Sequence, residues 1–311
     1  LTAVTPTVSI VISTRNRRDD VLRAIESALA QEYPSLEVLV YDDASTDGTA
    51  EAVSAEFPEV RLHASSERGG YLRWRNRGFR ESRGAYVVSI DDDGYFADTE
   101  TVSRIVELFD AYPQAAGIAL PYVEPQSSRT QSRMPPTPVG TQLRNYIGCA
   151  HALRRDVVLQ LGGYRELLVH QGEERDLSLR LLDAGWQIVL GDCPTIVHCY
   201  SPNREVSRIS FYGYRNTLLF SGLNVPLPEA AVRLVVDSIQ LLMYRFSWAT
   251  LPSRVGAVLA GCWACLRYVG ERRPVGRGTY RLYRRLPLHG PMPLAGGELP
   301  EPVLRKVRAA C

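Results

Sequence analysis

Three polar runs stand where a short apolar run has just ended: Thr14-Arg15-Asn16, Asp42-Asp43 and Asp91-Asp92-Asp93. In parallel α/β sheets ligands collect at the carboxyl ends of strands, so these are the first candidates for chemistry. Three successive carboxylates after a buried strand repel one another, and a bound divalent cation is a natural compensation. Mg2+ or Mn2+ held by one or two carboxylates and completed by phosphate oxygens is the usual form of such a site. A solvated acidic loop leading into the helix near Asp98 is the plainer use of the same residues.

The elements that would position these runs read as βα units. Val8 to Ser13, Leu36 to Tyr41, Val60 to Ala64 and Ala85 to Ile90 are short β-branched runs; helical patterns over Arg18 to Ala30, up to Glu56, up to Ser82 and from about Asp98 to Tyr112 separate or follow them. The alternation predicts an α/β fold with a mainly parallel central sheet flanked by helices. Pro121 to Val139 reads as a long loop, Arg154 to Leu161 and Asp176 to Ala184 as helices stopped by glycines. Past Ser201 the alternation ends, and a basic, aromatic, mostly helical region follows. The expected division is an α/β domain over 1–205 and a basic, mostly helical appendage over 206–311.

Taken together, VSIVISTRNR, EVLVYDDASTDGT, NRGFRESRGAYVVSIDDDG and GEERDLSLRLLDAGW resemble the family 2 inverting glycosyltransferases of the GT-A fold in order, spacing and residue type, over about residues 7–200. The resemblance implies transfer of a single sugar from a UDP- or dTDP-type nucleotide-sugar donor to an alcohol acceptor. It assigns Asp43 to the nucleotide base, Asp91 to ribose or sugar with Asp92 beside it, and Asp93 to the metal, Mn2+ or Mg2+. Thr14, Arg15 and Arg75 join the donor site, and Arg75-Asn76 match the family's Arg-Asn pair. The family's catalytic base sits in an acidic pair before a helix, here Glu173-Glu174-Arg175-Asp176-Leu177. Glu174 stands where aspartate is usual, and is taken as the base with Glu173 as the alternative; the helix dipole alone also favours both. His198 falls where some members use an extra metal ligand, against a core histidine bonded to backbone. Cys193 and Cys199 around it do not match a zinc spacing.

Other nucleotide chemistries fit poorly. No GxGxxG follows the first strand and no GxxxxGK[ST] occurs, the only lysine being Lys306. A nucleotidyltransferase is a nearer rival but lacks its Gly-rich, Lys-bearing first loop. A catalytically silent nucleotide-binding module is the alternative of a different class. The Gln-x-x-Arg-Trp signature of processive synthases is absent.

Charge is divided unevenly: residues 1–200 hold 20 Arg against 28 Asp/Glu, and residues 201–311 hold 16 Lys/Arg against 6 Asp/Glu. The basic half suits an anionic partner, a second subunit, or packing on the first domain. Val232 to Leu251 mixes bulky apolar residues with Asp237 and Arg245, which suits a helix at a membrane interface and a lipid-linked or membrane-proximal acceptor. Val255 to Leu266 is too short to span a bilayer. A homo-oligomer through this region is a further use of it; nucleic acid is not expected, since no binding motif is present. Cys262-Trp-Ala-Cys265 lies in an apolar helix and reads as packing. Six scattered cysteines, and a strand pattern beginning directly after Leu1 to Pro6 with no leader, give a cytoplasmic expectation, peripheral to the membrane at most.

Overall fold

The computed structural model describes residues 7–125, 138–199, 205–243 and 246–289. Strands β1 (Val8–Thr14), β2 (Leu36–Asp42), β3 (Arg61–Ala64) and β4 (Tyr86–Ile90) pair in parallel in the order β3-β2-β1-β4, linked through helices α1 (Arg18–Leu29), α2 (Thr49–Glu56) and α3 (Tyr71–Glu81). Both faces of β1 and β4 are covered, which is why their runs are continuously apolar and not alternating. On one face α3 lies close against the strand: a Cβ on Gly78 would meet Val11 Cγ1 at 2.6 Å, so no larger residue fits there without a shift.

The second half departs from simple alternation. It runs β5 (Gly94–Phe96), α4 (Thr101–Ala111), β6 (Ala115–Ala119), β7 (Tyr122–Val123), β8 (Gln142–Leu143), β9 (Ala150–Arg154), α5 (Arg155–Gln160), α6 (Glu173–Asp183), β10 (Gln187–Leu190) and β11 (Ile196–His198). The eight-stranded sheet continues as β4-β9-β6-β10-β8, with β9 antiparallel to both β4 and β6. The parallel sheet expected from the sequence is therefore mixed beyond β4. Most of the loop read at 121–139 lies outside the described residues, and its start is β7.

A small second sheet, β5-β11-β7, sits directly beyond the three aspartates. It pairs His198 with Gly94, and the Cys199 N–H donates to the Asp93 carbonyl at 2.8 Å. That pairing carries a residue more than a hundred positions away to the end of β4.

The helical region consists of α7 (Val206–Asn224), α8 (Glu229–Met243), α9 (Leu251–Arg267) and α10 (Arg277–Arg285). Leu219 and Leu223 of α7 and Ala264 of α9 share a core with α3, α5 and α6, so these helices pack on the α/β layer. The single helix read from Val232 to Leu251 is two, α8 ending at Met243 and α9 starting at Leu251. Of the cysteine pair, Cys265 packs toward α7, whereas Cys262 is exposed and does not pack. No helix among the described residues is long and apolar enough to cross a membrane.

Candidate active site

The carboxyl ends of β1, β2 and β4 and the start of α6 open on one cleft of about 660 Å3. Thr14, Arg15, Asp43, Arg75, Asp91, Asp92, Asp93, Glu173 and Glu174 all line it. His198 stands behind Asp93.

The three aspartates are compensated by three cationic side chains, two of them shared. Arg75, buried on α3, donates from Nη2 to Asp91 at 2.7 Å and to the Gly148 carbonyl at 2.9 Å. Arg17 lies 2.6 Å from Asp92 and 3.2 Å from Asp93. His198 Nε2 is 3.2 Å from Asp93 and 3.9 Å from Asp91. Two guanidinium groups and an imidazole thus share the compensation that the sequence suggested for a cation alone. Burial still pushes the Asp92 carboxyl up to about 7, against the pull of Arg17 and with the help of Asp93 and Asp91. For His198 burial disfavours the charged ring, but Cys149, Asp93 and Glu124 outweigh it and the pKa is raised.

Asp91, Asp93 and His198 each offer one ligand atom, and these atoms lie within 4.8 Å of one another. Two carboxylates and an imidazole are a donor set that fits a borderline-hard divalent cation. Glu124 Oε1 lies 3.3 Å from His198 Nδ1, a contact that would hold the ring with Nε2 toward Asp93 and Asp91. The sequence placed Asp93 and His198 in this role and Asp91 at the sugar; the fold puts Asp91 within reach of the same point.

Asp43, at the end of β2, is held by α3. Its Oδ1 accepts from the Gly69 N–H at 2.5 Å and from the Trp74 indole at 2.7 Å, while Oδ2 accepts only a shared bond from Gly70 at 3.2 Å. Asn76, the second half of the Arg-Asn pair, turns away from the cleft. It bonds the Tyr164 backbone through both side-chain atoms, at 2.9 and 2.8 Å, so its part is structural.

Glu173 and Glu174 open α6 after a loop in which Val169, Gln171 and Gly172 all have positive φ. A β-branched valine at φ 63 is an unfavourable backbone state that the surroundings must enforce. Asn216 of α7 does so: its Nδ2 lies within 2.7 to 2.8 Å of the Leu168, His170 and Gln171 carbonyls. Arg215 adds a bond to Leu167 at 3.1 Å. Glu173 is buried, accepts from the Tyr71 hydroxyl at 2.5 Å and lies 3.6 Å from Arg75. Burial and the neighbouring Glu174 raise it to about 8. Glu174 is half-buried and lies close enough to Gly148 that a Cβ there would meet its Oε1 at 2.8 Å; burial raises its pKa too.

Sequence reasoning missed Arg17, Tyr71, Glu124 and Asn216. Arg17 sits in the STRNRR run with nothing to distinguish it from Arg15 or Arg18. Asn216 lies in the basic, aromatic stretch Tyr212-Gly213-Tyr214-Arg215-Asn216, and nothing in its surroundings in the sequence points to the loop it holds.

Residues 9–162 match the profile of Glycosyl transferase family 2. The chain carries a family 2 glycosyltransferase domain. Its domain is 39% identical over 107 residues to the succinoglycan biosynthesis protein ExoO of Rhizobium meliloti, covering 34% of this chain and 30% of that one. It is 30% identical over 100 residues to WfaP of Escherichia coli, a UDP-Glc:alpha-D-GlcNAc-diphosphoundecaprenol beta-1,3-glucosyltransferase, covering 32% and 39% respectively. The chain thus spans about a third of the length of these two relatives. Residues 1–349 of S. aureus TarS, solved with UDP-GlcNAc, superpose with a TM-score of 0.60 at 18% identity, covering 83% of this chain and 81% of that one. This likeness shows that the family 2 glycosyltransferase domain has the GT-A fold.

Proposed function

We propose that the chain transfers one sugar, with inversion, from a UDP- or dTDP-type donor to an alcohol acceptor, over a catalytic domain ending near residue 205. The observation that carries this reading is a single cleft holding a metal-fitting triad at one wall and a pKa-raised carboxylate pair at another. Relatives named for UDP-sugar chemistry support the donor class.

In this reading Asp43 Oδ2 receives the imide N–H of a uracil-type base, because Oδ1 is committed to Gly69 and Trp74. Asp91, Asp93 and His198 hold Mn2+ or Mg2+, which when bound stabilises the charge gathering on the diphosphate leaving group. Arg15 and Arg17 bring positive charge to the same wall of the cleft. Glu174 removes the acceptor hydroxyl proton on the face opposite the leaving group, its raised pKa bringing it nearer the working range of a general base. Glu173, engaged by Tyr71 and Arg75, orients the start of α6. The name of WfaP favours a lipid-linked acceptor over a free sugar.

The test is product stereochemistry: with a UDP-sugar, a divalent salt and a panel of hydroxyl acceptors, proton NMR reads the anomeric configuration of the first product formed. An inverted product accompanied by one equivalent of UDP is expected. A retained configuration would remove Glu174 from its role.

Asn216 gives a second expected outcome. Asn216→Ala frees the loop at 168–171, and turnover should fall about 10- to 100-fold through misplacement of the glutamates. Steady-state kinetics at varied donor should show this in kcat with donor KM little changed; a pure KM effect would mean the loop acts on binding instead.

A further inference from the structure

Helices α8 and α9 are built inside out. On α8 the residues turned to solvent are Val232, Val235, Ile239 and Met243, each more than half exposed, at helical spacings of three and four. The position it buries most deeply besides Ala230 is a carboxylate, Asp237, which accepts from the Ser221 hydroxyl at 3.0 Å and pairs with Arg233. On α9 the outer face carries Val255, Leu259, Trp263 and Leu266, while Arg254, Ala257, Gly261 and Ala264 face inward with a single larger apolar residue, Val258. Gly261 is needed there, since a Cβ would meet Leu218 at 2.9 Å and the Arg215 carbonyl at 3.0 Å. Trp248, in the turn between the two helices, is 79% exposed.

A water-facing surface would place the small and charged residues outside and the large apolar ones inside. Here two helices in contact each present an apolar outer face instead, with Trp248 exposed between them. The described residues from 205 onward hold 11 Arg against 4 Asp/Glu, a net charge of +7. Arg267, next to Leu266 at the end of α9, and Arg273, shortly after it in the chain, are exposed.

We infer that the α8/α9 face docks on an anionic phospholipid bilayer, lying in its surface and not crossing it. Two features choose lipid over a second copy of the chain. The exposed Arg267 and Arg273 near the end of α9 would meet no complementary charge on the same face of a second copy, whereas anionic headgroups complement them. Tryptophan at two exposed positions, with arginine at the rim, is the composition of an interfacial helix whose apolar side enters the headgroup boundary. With α8 and α9 about 22 and 25 Å long at 1.5 Å per residue, neither reaches across a bilayer. The docking rests on this face alone and stands or falls independently of the proposed activity.

The test is co-sedimentation of the full chain with vesicles of equal parts phosphatidylglycerol and phosphatidylcholine, against phosphatidylcholine alone, with sedimentation velocity of the free protein. Binding to the anionic vesicles is expected, at least about tenfold weaker to the neutral ones and weakened by salt. The double variant Leu259→Ser, Trp263→Ser should bind at least about tenfold more weakly, having lost two buried apolar side chains. Its residues are on the surface, so thermal unfolding should match the parent. The variant Arg267→Glu, Arg273→Glu should lose the preference for anionic vesicles. Parent-like vesicle binding by the apolar double variant would overturn the inference. So would a parent that ignores vesicles, whether monomeric or forming a dimer that the apolar variant dissolves.

Discussion

Glu174→Gln should leave an enzyme that binds its donor normally and turns over about 100- to 10,000-fold more slowly, the range a positioned general base contributes. The amide fills the same space at the start of α6 but cannot accept a proton. Glu173→Gln should be distinguishable, because Glu173 is already engaged by the Tyr71 hydroxyl and lies against Arg75. Its loss should disturb the packing of α3 on α6 and lower thermal stability as well as rate. The pH profile adds a sign. A base works deprotonated, so kcat/KM should rise with pH through the apparent pKa of the Glu173–Glu174 pair, which burial lifts above the ordinary carboxylate range. In Glu174→Gln that acidic limb should change shape or vanish. An unchanged limb together with near-parent turnover would show that another group takes the proton.

The second large effect is expected at the triad. Asp93→Ala should reduce turnover by about three orders of magnitude, since stabilising a leaving diphosphate through a cation is worth several kcal/mol and each 1.4 kcal/mol is about tenfold. Raising the Mn2+ concentration should recover part of the loss if Asp91 and His198 still bind the ion. His198→Ala should give a smaller loss and a similar dependence on metal. Glu124→Gln removes the carboxylate behind His198 and should shift metal affinity by about 10- to 100-fold, the size of outer-shell effects. Equal activity of Asp93→Ala and parent across all metal concentrations would dismiss the triad as a metal site.

The aspartates were legible in the sequence because they follow strand runs with strong periodicity, while Glu173 and Glu174 came from the resemblance to family 2 glycosyltransferases. β1, β2 and β4 are continuous β-branched runs, and what lies at their ends in a parallel sheet must face a common edge. The second half was harder to read for a physical reason. β9 and β6 are short apolar pieces whose pairing direction is set by long-range contacts, and no local signal says that β9 runs antiparallel between β4 and β6. The same holds for the three-residue strands β5 and β11, which decide where His198 lies. Arg17 and Arg75 show a limit of residue type: both are arginines in basic runs, and only the fold turns them onto Asp92, Asp93 and Asp91. On α8 and α9 the apolar content was plain, but the side each residue faces depends on α7, against which the small residues pack.

The central claim is that a nucleotide-sugar binds in this cleft through a cation held by Asp91, Asp93 and His198. Calorimetric titration of the purified chain with UDP- and dTDP-sugars, in Mn2+ and in EDTA, tests it most directly. The account predicts binding of one nucleotide class in Mn2+, lost in EDTA and lost again in Asp93→Ala. No nucleotide-sugar binding in any metal, or binding indifferent to both EDTA and Asp93→Ala, would contradict it.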